Sequence, residues 1–156
     1  MSYTITDLTP DAFASVATAI NNAGEAVGYF NAEPGMDGHA FQSDGSTLED
    51  LGTLVSGGSS ANAINDLGNV ASEFNAGQGF LHAFLTTGSG GIDPDTDDLG
   101  TLGGVSSRAF AVNNLGQVAG SSADSAVGHQ HAFLYADGTM SDRDLGRSQR
   151  PALLGY

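Results

Sequence analysis

The chain has 156 residues, 18 of them acidic and only four basic, and it carries a formal charge of −14 with no cysteine. A field this negative disfavours nucleic-acid backbones and anionic bilayers as partners. The missing thiols exclude disulfides, thiolate metal sites and a cysteine nucleophile.

No apolar run reaches membrane-spanning length, so no membrane insertion is expected. Met1–Thr6 lacks the basic-then-apolar pattern of a signal peptide. With 23 glycines, 40% hydrophobic and 14% charged residues, the chain reads as a single, turn-rich, all-β domain over residues 1–156.

In chain order, the first predicted element is a short strand over residues 3–9, Tyr3-Thr4-Ile5-Thr6-Asp7-Leu8-Thr9. Three similar units follow, over about 15–54, 59–102 and 107–146, and then a tail over 147–156. Such internal repetition is the first thing to interpret in a sequence. The steps from Asp7 to Asp50, to Asp98 and to Asp144 are 43, 48 and 46 residues.

Each unit reads as two hairpins. The first strand is Ala-x-Ala-Ile/Val-Asn, and simple alternation places two alanines on one face and Ile20, Ile64 or Val112 on the other. A turn follows, ending in Gly24, Gly68 or Gly116, where a three-residue loop needs positive φ. Asn21, Asn65 and Asn113 open these turns, and asparagine bonds its own backbone there. The returning strand leads to a variable loop (31–38, 75–80, 121–128) and then to His-Ala-Phe at 39–41, 82–84 and 131–133. The fourth strand carries Asp-Leu-Gly at 50–52, 98–100 and 144–146. Only residues 11–19 resemble a helix, and Val16 and Thr18 there align with strand positions.

Four short strands per repeat predict three four-stranded antiparallel, propeller-like blades plus one orphan N-terminal strand, with a β-trefoil as the alternative. Three blades fall short of the roughly four to eight that close a ring. The expected partner is therefore another copy of the chain, paired through open strand edges in a ring or filament.

The Ala-x-Ala-Ile-Asn-x-x-Gly hairpin, the three His-Ala-Phe tripeptides and Asp98-Leu99-Gly100-Thr101-Leu102-Gly103-Gly104 together resemble the HAF-repeat family over residues 3–146. The resemblance implies propeller-like repeats in an extracellular bacterial protein with no established general activity.

Two groups of residues invite a chemical reading. His39, His82 and His131 recur in register, either as metal ligands about an axis or as struts that join each strand to a nearby Asp or backbone carbonyl within its own unit. The strut reading carries more weight, because a feature present in every unit suits a scaffold. His129 and His131 also share a strand face, without an evident third ligand.

Asp93, Asp95 and Asp97 alternate like the start of a calcium loop, but Asp98 stands where the loop glycine belongs and Gly104 where the closing glutamate belongs. A Ca²⁺ site looser than an EF-hand is one reading, and a solvated acidic insertion the other. No nucleophile elbow, phosphate-cradling loop or zinc-protease helix is present. The expected function is therefore a non-catalytic structural or adhesive protein with no cofactor. The alternative is a lectin-like module in which the variable loops, with Phe30, Phe74 and Phe80, hold a glycan.

Overall fold

A computed structural model describes residues 3–52, 57–87, 90–125 and 129–142. The chain is all-β, with three four-stranded antiparallel sheets. Sheet 1 contains β1 (Ala14–Ile20), β2 (Ala26–Asn31), β3 (His39–Ser43) and β4 (Leu48–Gly52). Sheet 2 contains β5 (Ser59–Ile64), β6 (Val70–Asn75), β7 (Leu81–Leu85) and β8 (Asp98–Gly100). Sheet 3 contains β9 (Gly103–Val112), β10 (Val118–Asp124), β11 (Gln130–Ala136) and β12 (Thr139–Asp142). Each sheet pairs its strands in sequence order, and no sheet shares a strand with another. That arrangement departs from the β-trefoil alternative. One helical turn, α1 (Pro94–Asp97), lies in the acidic insertion before β8.

Neighbouring sheets pack through two apolar cores. The first joins Val27, Ala40 and Leu51 of sheet 1 to Ala61, Ile64, Val70, Phe74 and Phe84 of sheet 2. The second joins Ala71, Ala83 and Leu85 of sheet 2 to Ala109, Val118 and Phe133 of sheet 3. One face of a unit therefore meets the opposite face of the next. Within sheets 1 and 3, the His-Ala-Phe phenylalanine lies opposite a glycine, Phe41 against Gly28 and Phe133 against Gly120. A Cβ at Gly28 would fall 1.9 Å from the Val16 carbonyl oxygen, so the ring takes the room that glycine leaves.

Simple alternation fails in the first strand of every unit. Register slips by one residue at Thr18, Asn62 and Phe110, the x of Ala-x-Ala. The extra residue is a β-bulge, which rotates the strand so that Ala61 and Ile64, three apart, both enter the same core. A second bulge lies at Leu51 and Leu99 in the Asp-Leu-Gly strands.

Residues 3–9 form no strand within the single chain, contrary to the sequence expectation, and Tyr3 and Ile5 are 88% and 96% exposed. A strand is defined by a ladder, and no preceding sheet is present to supply one. The tail 147–156 lies outside the described residues. Among the described residues, no helix is long and apolar enough to cross a membrane.

Candidate functional site

The Asp-Leu-Gly tripeptide builds a corner. Asp50 Oδ1 accepts a bond from the Gly52 amide at 2.8 Å, and Gly52 takes a left-handed φ of 77°. The same carboxylate lies 3.0 Å from His39 Nδ1. Asp98 repeats this with the Gly100 amide at 2.7 Å and His82 Nδ1 at 2.9 Å. Between aspartate and glycine, the bulged leucine turns inward, and Leu51 is only 2% exposed. A serine from the next unit then closes the gap. Ser59 Oγ donates to the Gly52 carbonyl and accepts from the Ala40 amide, and Ser107 does the same with Gly100 and Ala83.

The histidines thus stand as struts within their own units. These half-exposed His–Asp contacts position the corner more than they stabilise it. In unit 3 the aspartate opposite Phe133 is Asp142, whose Oδ2 lies 3.1 Å from His131 Nδ1. Asp144 lies outside the described residues. Asp142 follows Phe133 by nine residues, as Asp50 follows Phe41, whereas the enlarged unit 2 sets Phe84 and Asp98 fourteen apart.

The N-terminal segment reproduces one of these corners. Asp7 Oδ1 accepts from the Thr9 amide at 3.0 Å, and the Thr9 hydroxyl bonds Ser15, the counterpart of Ser59 and Ser107. Residues 7–9 therefore stand where the corner of a preceding sheet would stand.

The turn asparagines do more than hold turns. Asn65 Oδ1 accepts from the Leu67 and Asn69 amides, both at 2.9 Å, and Asn21 and Asn113 repeat this pattern. The remaining amide group reaches the next unit. Asn21 Nδ2 donates to the Asn65 carbonyl at 3.0 Å, and Asn65 Nδ2 to the Asn113 carbonyl at 2.9 Å. At the end of the row, Asn113 Nδ2 bonds Gln117 of its own turn instead. Beside this row, Asp66 accepts from both Asn22 and Asn114.

The Asn114 side chain, then the Asn22 backbone and side chain, hold the Asp66 carboxyl below its ordinary value of 3.8. A lowered value means that its stabilising contact is present above pH 3.8 and lost as the pH falls further. Protection of the Asn22 amide, whose N–H bonds Asp66 Oδ1, relative to its free-peptide exchange rate is expected to fall below that pH.

The two outer faces of the stack are uncovered among the described residues. Ala17 is exposed, whereas its counterparts Ala61 and Ala109 are 0% exposed. Ile20 is 69% exposed where Ile64 is 9%. At the other end, Ala119 and Ala132 are exposed, whereas Ala71 and Ala83 are fully buried. The stack therefore ends on the two surfaces that it joins internally.

Asp93, Asp95 and Asp97 do not converge as a ligand set. Asp93 Oδ1 caps α1 through the Asp95 amide, and Asp97 Oδ2 accepts from the Asp93 amide, both at 2.9 Å. Burial pushes the Asp97 carboxyl up, and its hydrogen bonds only partly offset that. Of the proposed sugar platforms, Phe74 is buried beneath Phe84 and His82, and Phe30 packs on His39 and Phe41, leaving Phe80 at 39% exposure. The first two loops instead flank a groove of about 300 Å³ lined by Tyr29, Asn31, Ser60, Glu73 and Asn75.

The fold and these corners define a class: an all-β repeat protein made of three like sheets joined by a recurrent interface. In comparisons with known proteins, no family model matched the chain, and neither the curated proteins nor the solved structures held a similar one.

Proposed function

We propose that the protein is a non-catalytic structural repeat that assembles end to end, the last sheet of one copy packing on the first sheet of the next to form a ring or filament. The observation that carries this reading is the contrast between Ile20, 69% exposed, and Ile64, 9% exposed, at equivalent places. The internal interfaces supply the template. Each uses alanines at the same places (Ala40 and Ala61, then Ala83 and Ala109), a β-branched residue (Ile64, then Val112) and the same asparagine bond to the following turn. A head-to-tail contact of this kind does not cap itself, so it propagates until it closes. The corner at residues 7–9 lies at the same end, bonded to Ser15 as an internal corner is bonded to Ser59. An extracellular location rests on the resemblance of the motifs alone.

The Ile20→Asp variant tests this. It places a charge on an already exposed position, so the fold should survive while association weakens. Unchanged association in a folded Ile20→Asp chain would remove the end face as the joint.

A further inference from the structure

We propose that Asp124, His129 and His131 form a binding site for one divalent transition-metal ion of the Zn²⁺ class. The three units serve as internal controls for one another. In units 1 and 2 the histidine of His-Ala-Phe pairs across the sheet with a phenylalanine, Phe30 with His39 and Phe74 with His82. The rings meet edge-on with centroids 6.0 and 6.2 Å apart. In unit 3 the partner of His131 is Ser122, which removes the aromatic cover. Two residues further along, Ala32 and Ala76 give way to Asp124. Two residues before the histidine, Asp37 and Phe80 give way to His129.

Strand geometry brings the new donors together. Side chains two apart share a face, and residues opposite in the ladder share it too. Ser122 lies opposite His131, and the Asp124 amide donates to the His129 carbonyl at 2.9 Å. Asp124, His129 and His131 therefore crowd one face at the mouth of the β10–β11 hairpin. Their ligand atoms all lie within 4.8 Å of one another. Asp124 Oδ2 is 3.4 Å from His131 Nε2 and 3.8 Å from His129 Nδ1. Ligands at the usual zinc distances in a tetrahedron stand about 3.3 Å apart, so small side-chain movements complete the set.

The site also has outer support. His131 Nδ1 faces Asp142, which directs Nε2 toward Asp124, as a carboxylate behind a ligating imidazole does. The Ser122 hydroxyl is taken by the Leu102 amide at 2.8 Å, so three protein ligands leave a fourth position to solvent. Nitrogen and oxygen donors of this mixture suit zinc and its neighbours better than calcium.

Calorimetric titration of the chelator-stripped, untagged full chain with Zn²⁺ tests the proposal. One equivalent is expected to bind. His129→Ala and Asp124→Asn should each weaken it at least about tenfold, and Asp142→Asn by about 10–100-fold. His129 has a side chain 66% exposed, so its removal leaves the fold intact, and circular dichroism verifies that. His39→Ala should leave the affinity unchanged. No saturable binding, or binding insensitive to His129→Ala, would overturn the proposal, as would binding lost in His39→Ala instead. The readout is the same whether or not the chain assembles.

Discussion

Phe84→Ala is expected to lower the free energy of unfolding by about 3–5 kcal/mol. The ring is fully buried in the core shared by sheets 1 and 2, beside Val27, Leu51 and Ile64. Its loss combines the forfeited transfer energy with a cavity that the surrounding β-strands, pinned by their hydrogen-bonded ladders, close only in part. A domain of this size holds about 5–15 kcal/mol in all, so the variant stands near the edge of folding. Urea titration followed by circular dichroism measures the shift. Phe80→Ala, at a 39% exposed loop position, should change the free energy of unfolding by about 0.5 kcal/mol or less. Equal effects at the two positions would contradict the packing described.

Asn65→Ala should cost about 3 kcal/mol, well beyond the same change at Asn113. Asn65 is 4% exposed, and one side chain satisfies the Leu67 and Asn69 amides and the Asn113 carbonyl. Truncation leaves these part-buried groups without their partner, and each one that water does not reach costs about 1–3 kcal/mol. Asn113 makes the same turn bonds at an exposed position, so solvent replaces them. Asn65→Asp keeps both acceptor bonds and loses the donor to the next unit, so its effect should fall between the two. Denaturant midpoints for the three variants give the order directly, and a cost at Asn113 as large as at Asn65 would contradict the row of inter-unit bonds.

Much of this architecture was legible in the residues. Glycine at the close of each hairpin marked positive φ, and Gly24, Gly68 and Gly116 adopt 87°, 79° and 72°. The recurrence of His-Ala-Phe and then Asp-Leu-Gly in each unit marked the struts at His39–Asp50 and His82–Asp98, although the two pairs are 11 and 16 residues apart. The bulges were not legible, because the extra residue shifts the alternation by one place and the second alanine of Ala-x-Ala hides that shift. Ala-x-Ala looked like alternation, yet Thr18 and Asn62 are the bulged residues, and both bond across to the following unit at the Ala61 and Ala109 carbonyls. Ser59 and Ser107 escaped notice because serine is common in loops, although each recurs two residues before the buried Ala61 or Ala109. Asp124 joins His129 and His131 through strand register, which depends on how the hairpin closes and not on sequence spacing. The visible sign was that unit 3 alone breaks the Phe–His pairing, with Ser122 opposite His131.

The charge of −14 bears on how assembly responds to solvent. Two such chains repel over a distance set by the Debye length, about 10 Å at 0.1 M salt and about 3 Å at 1 M. The apolar joint is nearly indifferent to salt, so screening should favour the assembled form. Sedimentation velocity over a range of protein and salt concentrations tests the central claim most directly. Species at multiples of 15.7 kDa, growing with both variables, are the predicted result. A single 15.7 kDa species under every condition would contradict it.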